Sequence, residues 1–138
     1  MIEPGVRRLH CGQITDGACA IVLASEKFAA RYRKTRKETG SIARIKGWGH
    51  RNAGIRYRDK VERSKDSTFV FPHVREAIED SFRRAGIAEV HQLDGIETHD
   101  CFSMTEYMAI DHFGITAPGE SWRAVEDGSI GLGGRLPI

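Results

Sequence analysis

His99, Asp100 and Cys101 stand side by side in "IETHDCFSMTEYMAI" (96–110), between a short apolar run and a helix-like run. Each side chain can do chemistry. A neutral imidazole can donate a hydrogen bond to a substrate oxygen, and a thiol beside a helix start can ionise more readily than a free one. All three are also metal-ligating types. The trio therefore has three readings: a nucleophilic site, a metal site, or polar residues at a turn. Neighbouring residues rarely aim both side chains at one substrate atom, so Cys101 reads as a packed, inert thiol. Metal binding needs a second ligand cluster at a suitable spacing, and none accompanies the trio. We therefore expect no metal site. His99 is left as the candidate site residue, with a plain turn histidine as the alternative.

What positions these residues is the alternation around them. "LDGIET" (93–98) reads as a strand, and the run from Ser103 reads as a helix. Ser103 with Glu106 three residues on has the form of a capping box. Met104, Tyr107, Met108 and Ile110 are that helix's expected buried face. Backbone N–H groups at such a strand-to-helix turn favour oxygen anions. Upstream, "PHVREAIEDSFRRAG" (72–86) is the clearest helix, with Val74, Ala77, Ile78, Phe82 and Ala85 in one apolar stripe. Pro72 suits its first turn and Gly86 its C′ stop.

The first third of the chain repeats the alternation. "CAIVLA" (19–24) reads as a strand buried on both faces, and Ser25 as the N-cap of a helix carrying Phe28 and Ala29. That helix runs into "RYRKTRKE" (31–38), whose five cations suit either a solvated helix end or a phosphate contact. "SIARIKGWG" (41–49) reads as another strand, broken by Gly47 and Gly49, and residues 50–68 as a polar loop. Short apolar strands alternating with amphipathic helices predict an α/β fold, a mixed β-sheet with packed helices. A shift in composition near residues 35–41 predicts a boundary there.

The bulk properties narrow the class of partner. The 138 residues are 40% hydrophobic and 29% charged, as in globular proteins. A formal net charge of +2 gives no general attraction to nucleic acid or membrane, and we expect neither as a partner. Cys11, Cys19 and Cys101 form no framework spacing, which suits a reducing, cytoplasmic setting. No apolar run is long enough to span a bilayer. The ends, "MIEPGVRR" and "GSIGLGGRLPI", carry no helix or strand pattern, which suggests a chain cut from a longer one.

"DGIETHDCFSMTEYMAIDHFGITAPGE" (94–120) resembles the C-terminal half of the thiolase superfamily, specifically the sterol-carrier-protein-2-type thiolases. Those carry His-Asp-Cys-Phe where other thiolases have Asn-Glu-Ala-Phe, and the likeness extends to Glu106, Gly114, Pro118, Gly119 and Glu120. "CGQITDGACAIVLASEKF" (11–28) resembles the strand that closes the family's N-terminal half. "GLGGRLPI" (131–138) resembles the run leading into its Asn-Pro-Ser-Gly-Gly segment.

The resemblance implies a partial thiolase-like fold, with residues 1–38 ending the N-terminal domain and 39–138 forming a truncated C-terminal domain. It implies a parent acyl-CoA C-acyltransferase that makes or breaks carbon–carbon bonds on coenzyme A thioesters. The thioester is the substrate, and no covalently bound cofactor is implied. The parent would be a homo-oligomer, dimer or tetramer. A thiolase-like protein that only binds or hydrolyses CoA esters, or binds lipid, is the alternative. His99 inherits the role of a donor near the thioester oxygen. The family's nucleophilic cysteine, Gly-His-Pro histidine and second cysteine have no counterparts here, so the isolated chain is expected to be inactive.

Overall fold

A computed structural model describes residues 4–36 and 40–138. It divides into two compact units, Ile14–Ile45 and Met1–Gln13 with Lys46–Ile138. The boundary expected at 38/39 lies outside the described residues.

Among its described residues the smaller unit holds one helix, α1 (Glu26–Arg36). The Ser25 hydroxyl accepts the Phe28 N–H at 3.2 Å, the expected cap. Arg31, Arg33, Lys34 and Arg36 of the basic run lie on the same helix, where Arg31 stacks over Phe28 and Arg36 over Tyr32, at 5.3 and 6.0 Å from the ring centroids; the end of the run lies outside the described residues. Residues 19–24 form no strand. Ile21, Val22 and Leu23 are 82%, 89% and 74% exposed, so the run has its apolar pattern but no neighbour to pair with.

Among its described residues the larger unit carries four α-helices: α2 (Tyr57–Ser64), α3 (Pro72–Ala85), α4 (Ser103–Phe113) and α5 (Ser121–Glu126). α3 starts on Pro72 and stops at Gly86, which takes the left-handed conformation at φ +72°. The Ile87 N–H then reaches back to the Phe82 carbonyl at 2.9 Å. α4 ends the same way, with Gly114 at φ +77° and the Ile115 N–H on the Ile110 carbonyl at 3.1 Å.

The apolar stripe of α3 meets a backbone rather than a sheet. Residues 46–49 lie so close to it that a Cβ on Gly49 would overlap the Ala77 carbonyl, and one on Gly47 the Ser81 carbonyl. Glycine is required at both positions by close approach. The Arg84 guanidinium closes this contact, bonding the Trp48 carbonyl and stacking 4.9 Å over its ring. A second tryptophan, Trp122 on α5, is stacked in the same manner by Arg123 at 4.7 Å.

Ile110, Ala124 and Ile130 form the buried cluster, with Ile115 and Ile138 packed against it. The chain's end folds back to cover it: the Leu136 N–H bonds the Ser129 carbonyl at 3.0 Å and the Ile138 N–H the Ile130 carbonyl at 3.1 Å.

Three expectations are corrected. The mixed β-sheet does not form among the described residues, whose β pairing is confined to isolated bridge positions such as the antiparallel bridge from Cys11 to Phe102. A strand is stable only against a partner, and residues 19–24, 41–49 and 93–98 have none beyond single contacts. The polar stretch 50–68 contains α2 instead of being all loop. In α4 the buried residues are Ile110 and His112, while Met104 is 56% exposed and Tyr107 36%.

Candidate functional site around the His99 turn

Phe102 is extended, at φ −138° and ψ 145°, because its bridge to Cys11 holds it so. Helix α4 therefore begins at Ser103 itself. Ser103 stands one residue inside the capping position expected for it, and no side-chain cap hydrogen bond forms there. The Phe102 carbonyl takes up the slack, accepting the Thr105 N–H at 2.7 Å.

The turn before α4 is pinned from both sides. The Gly12 N–H donates to the Cys101 carbonyl at 2.8 Å, and the Ile96 N–H to the Pro137 carbonyl at 2.9 Å. Between these ties His99 and Asp100 are exposed. Cys101 is half-buried, its Sγ 3.7 Å from the Thr105 hydroxyl, so a polar neighbour stands where apolar packing was expected. Cys11 and Cys19, like Cys101, are free thiols.

A cavity of about 210 Å³ opens beside the turn, walled by Ile96, Glu97, Thr98, Asp100, Glu106 and Ile138. Thr98 and Asp100 belong to this wall; the His99 ring between them does not. Three carboxylates make it acidic, yet among the described residues no cluster of His, Cys, Asp or Glu is arranged to hold a metal ion.

Behind the turn, His112 fixes α4 to the start of α3. Its ring is buried and takes one tautomer: Nε2 accepts the Phe71 N–H at 2.9 Å while Nδ1 donates to the Met108 carbonyl at 2.6 Å. Phe69 and Phe71 pack against the ring at 5.4 and 5.8 Å between centroids. Arg75 completes the joint, bonding the His112 carbonyl at 2.9 Å and lying 5.2 Å over Phe69.

A second group that sequence reasoning missed is ionic. Arg51 pairs with Asp80 and, at 3.1 Å, with Glu76; Arg63 reaches Glu76 at 2.7 Å, and Arg83 pairs with Asp80. The network ties the 46–51 segment and α2 to α3. Asp80 is buried, and its carboxyl is held below the ordinary aspartate range by hydrogen bonding from Arg51 and then Arg83, against the opposing effect of burial. Arg63, then Arg51, lowers Glu76 in the same way. The signal for α2 was present in Asp59 and Arg63, four residues apart on one face.

Residues 56–138 match the family of thiolase C-terminal domain-like sequences. The chain belongs to that family. The matched stretch contains the His99–Phe102 motif and α2 through α5. Among similar thiolase-family proteins is the acetyl-CoA acetyltransferase of Methanothermobacter thermautotrophicus, 29% identical over 138 residues, which are all of this chain and 33% of that protein. The acetyl-CoA acetyltransferase of Methanocaldococcus jannaschii is 27% identical over 131 residues, 94% of this chain and 30% of that one. Sterol carrier protein 2 of Gallus gallus is 27% identical over 131 residues, 94% of this chain and 22% of that one. This thiolase-family chain thus spans a third or less of the length of these relatives. Among its described residues no helix is long and apolar enough to cross a membrane.

Proposed function

We propose that the chain is part of a thiolase-type acyl-CoA C-acyltransferase, in which His99 donates a hydrogen bond to the thioester oxygen. The observation that carries this reading is the placement of the His-Asp-Cys-Phe motif. It lies in an exposed turn pinned ahead of a helix, within the span that matches the thiolase family. The two relatives named acetyl-CoA acetyltransferase support the reaction class. Carbon–carbon bond formation or cleavage on a thioester passes through an enolate and a tetrahedral intermediate, both with charge concentrated on oxygen. A fixed donor at that oxygen lowers the barrier by a few kcal/mol.

In this reading residues 1–38 close the parent's N-terminal domain and 39–138 belong to its C-terminal domain. The nucleophilic cysteine, the Gly-His-Pro histidine and the second cysteine lie on other parts of the parent, which assembles as a homo-oligomer. The relative named sterol carrier protein 2 favours a second reading, a thiolase-like module that binds lipid or CoA esters without condensing them.

The test is thiolysis of acetoacetyl-CoA and condensation of acetyl-CoA, assayed on the 138 residues and on the longest protein encoded in frame with them. We expect no turnover from the 138 residues and turnover from the longer protein. Turnover by the 138 residues that disappears in Cys101→Ala would overturn the proposal. A longer protein that binds CoA esters without turnover would favour the second reading.

A further inference from the structure

The joint between α4 and the start of α3 is held through a ring that can take up a proton. His112 is buried, and both its ring nitrogens are committed to backbone groups. A peptide N–H can only donate, so Nε2 must keep a lone pair to accept from Phe71. A carbonyl can only accept, so Nδ1 must carry the proton it gives to Met108. Only the neutral imidazole meets both conditions. Protonation turns Nε2 into a donor, and two donors then face each other 2.9 Å apart.

The charged and titratable groups around the ring offer Nε2 no replacement acceptor. On α4, Asp111 brings one carboxylate oxygen to 4.0 Å, but from Nδ1 rather than Nε2. Its other oxygen accepts the Gly119 N–H at 2.7 Å. On α3, Arg75 donates to the His112 carbonyl, and Glu79 partners its charge at 2.8 Å. His73, also on α3, packs against the Phe71 ring at 6.0 Å between centroids. The segment before α3 presents the Phe69 and Phe71 rings. Asp111 can therefore steady a positive ring, while none of these groups accepts from Nε2.

We propose that His112 is an acid-operated latch. Uptake of one solvent proton at Nε2 breaks the hydrogen bond to Phe71 and frees residues 69–71 from α4, the helix behind the His99 turn. This goes beyond the acyl-CoA reading and stands independently of it. The open form binds the proton and the closed form does not, so the joint is firmest at neutral pH and loosens as pH falls. Below the range in which an exposed imidazole protonates, about pH 6.5, the open population should rise about tenfold per pH unit.

Hydrogen exchange of the Phe71 amide in the 138-residue chain, followed by NMR from about pH 8 to about pH 5, tests the latch. An amide whose opening ignores pH slows about tenfold per pH unit as hydroxide falls. For Phe71 that slowing should stop near about pH 6.5, because the growing open population offsets it. In His112→Gln, whose amide accepts and donates without ionising, the slowing should continue to the end of the range. The Ile115 amide, bonded to the Ile110 carbonyl, should slow throughout in both proteins. The range lies above that in which Asp80 and Glu76 protonate. A Phe71 amide that keeps slowing in the unsubstituted chain, a levelling that survives in His112→Gln, or Ile115 levelling together with Phe71 would overturn the latch. So would ring nitrogen-15 shifts, read without any variant, that show both His112 nitrogens protonated while the Phe71 amide stays protected.

Discussion

His99 owes its position to its neighbours' backbone rather than to contacts of its own ring. The Cys11–Phe102 bridge and the Gly12–Cys101 hydrogen bond hold the chain on one side, and the Ile96–Pro137 bond holds it on the other. An exposed imidazole on a fixed turn can meet a substrate without rearrangement. In the acyltransferase proposed to contain this chain, His99→Ala should lower turnover by roughly one to three orders of magnitude, the range for one lost oxyanion-type donor. KM should change less, because that contact strengthens in the transition state. Steady-state kinetics checks this, and unchanged kcat would reduce His99 to a turn residue. At the same scale, Asp80 and Glu76 have lowered pKa values in the fold. Their contribution to stability is therefore complete above the ordinary carboxylate range. It is lost as pH falls below about 4 and the carboxyls protonate. Urea midpoints measured from pH 7 to pH 2 should fall on the acid side, and Asp80→Asn should flatten that fall while lowering the neutral-pH midpoint.

At the scale of elements, the contact between residues 46–49 and α3 is the most demanding. A methyl group at Gly49 has nowhere to go but into the Ala77 carbonyl, so Gly49→Ala should destabilise by about 1–3 kcal/mol. Gly17→Ala, where a Cβ meets open space, should change stability little; chemical denaturation of both variants makes the comparison. The same contact explains which elements could be read in advance. α3 was legible because its signals are local: a 3.6-residue apolar stripe, Pro72 at one end and Gly86 at the other. In the sequence Gly47 and Gly49 read only as breaks in a strand, because what they make room for lies about thirty residues away. The start of α4 was legible to within one residue, the error coming from a bridge to Cys11 that no local pattern announces. Its buried face was misread because His112, a polar type, is buried by two backbone hydrogen bonds. The three apolar runs carry a strand pattern that records burial between neighbours, and pairing is a property of those neighbours.

At the scale of the whole molecule, much apolar surface stands in water. Ile14, Ile21, Val22, Ile55 and Leu132 are each more than four-fifths exposed. Surface of this kind, together with unpaired extended segments, marks places where chains meet. The isolated 138 residues should self-associate at micromolar concentration, as light scattering coupled to size exclusion would show. A monodisperse monomer with one cooperative melt would count against this expectation. The two arginine-stacked tryptophans give the molecule two native optical probes, since the sequence has no others. Trp48 reports the docking of the glycine segment on α3, and Trp122 reports the joint of α4 with α5. In Trp122→Phe only the first emission remains, and in Trp48→Phe only the second. Both probes lie in the larger unit, so their emission should change at the same urea concentration if that unit unfolds as a single cooperative body. Two separate midpoints would mean that the glycine segment lifts from α3 while the ground beneath the His99 turn stays folded.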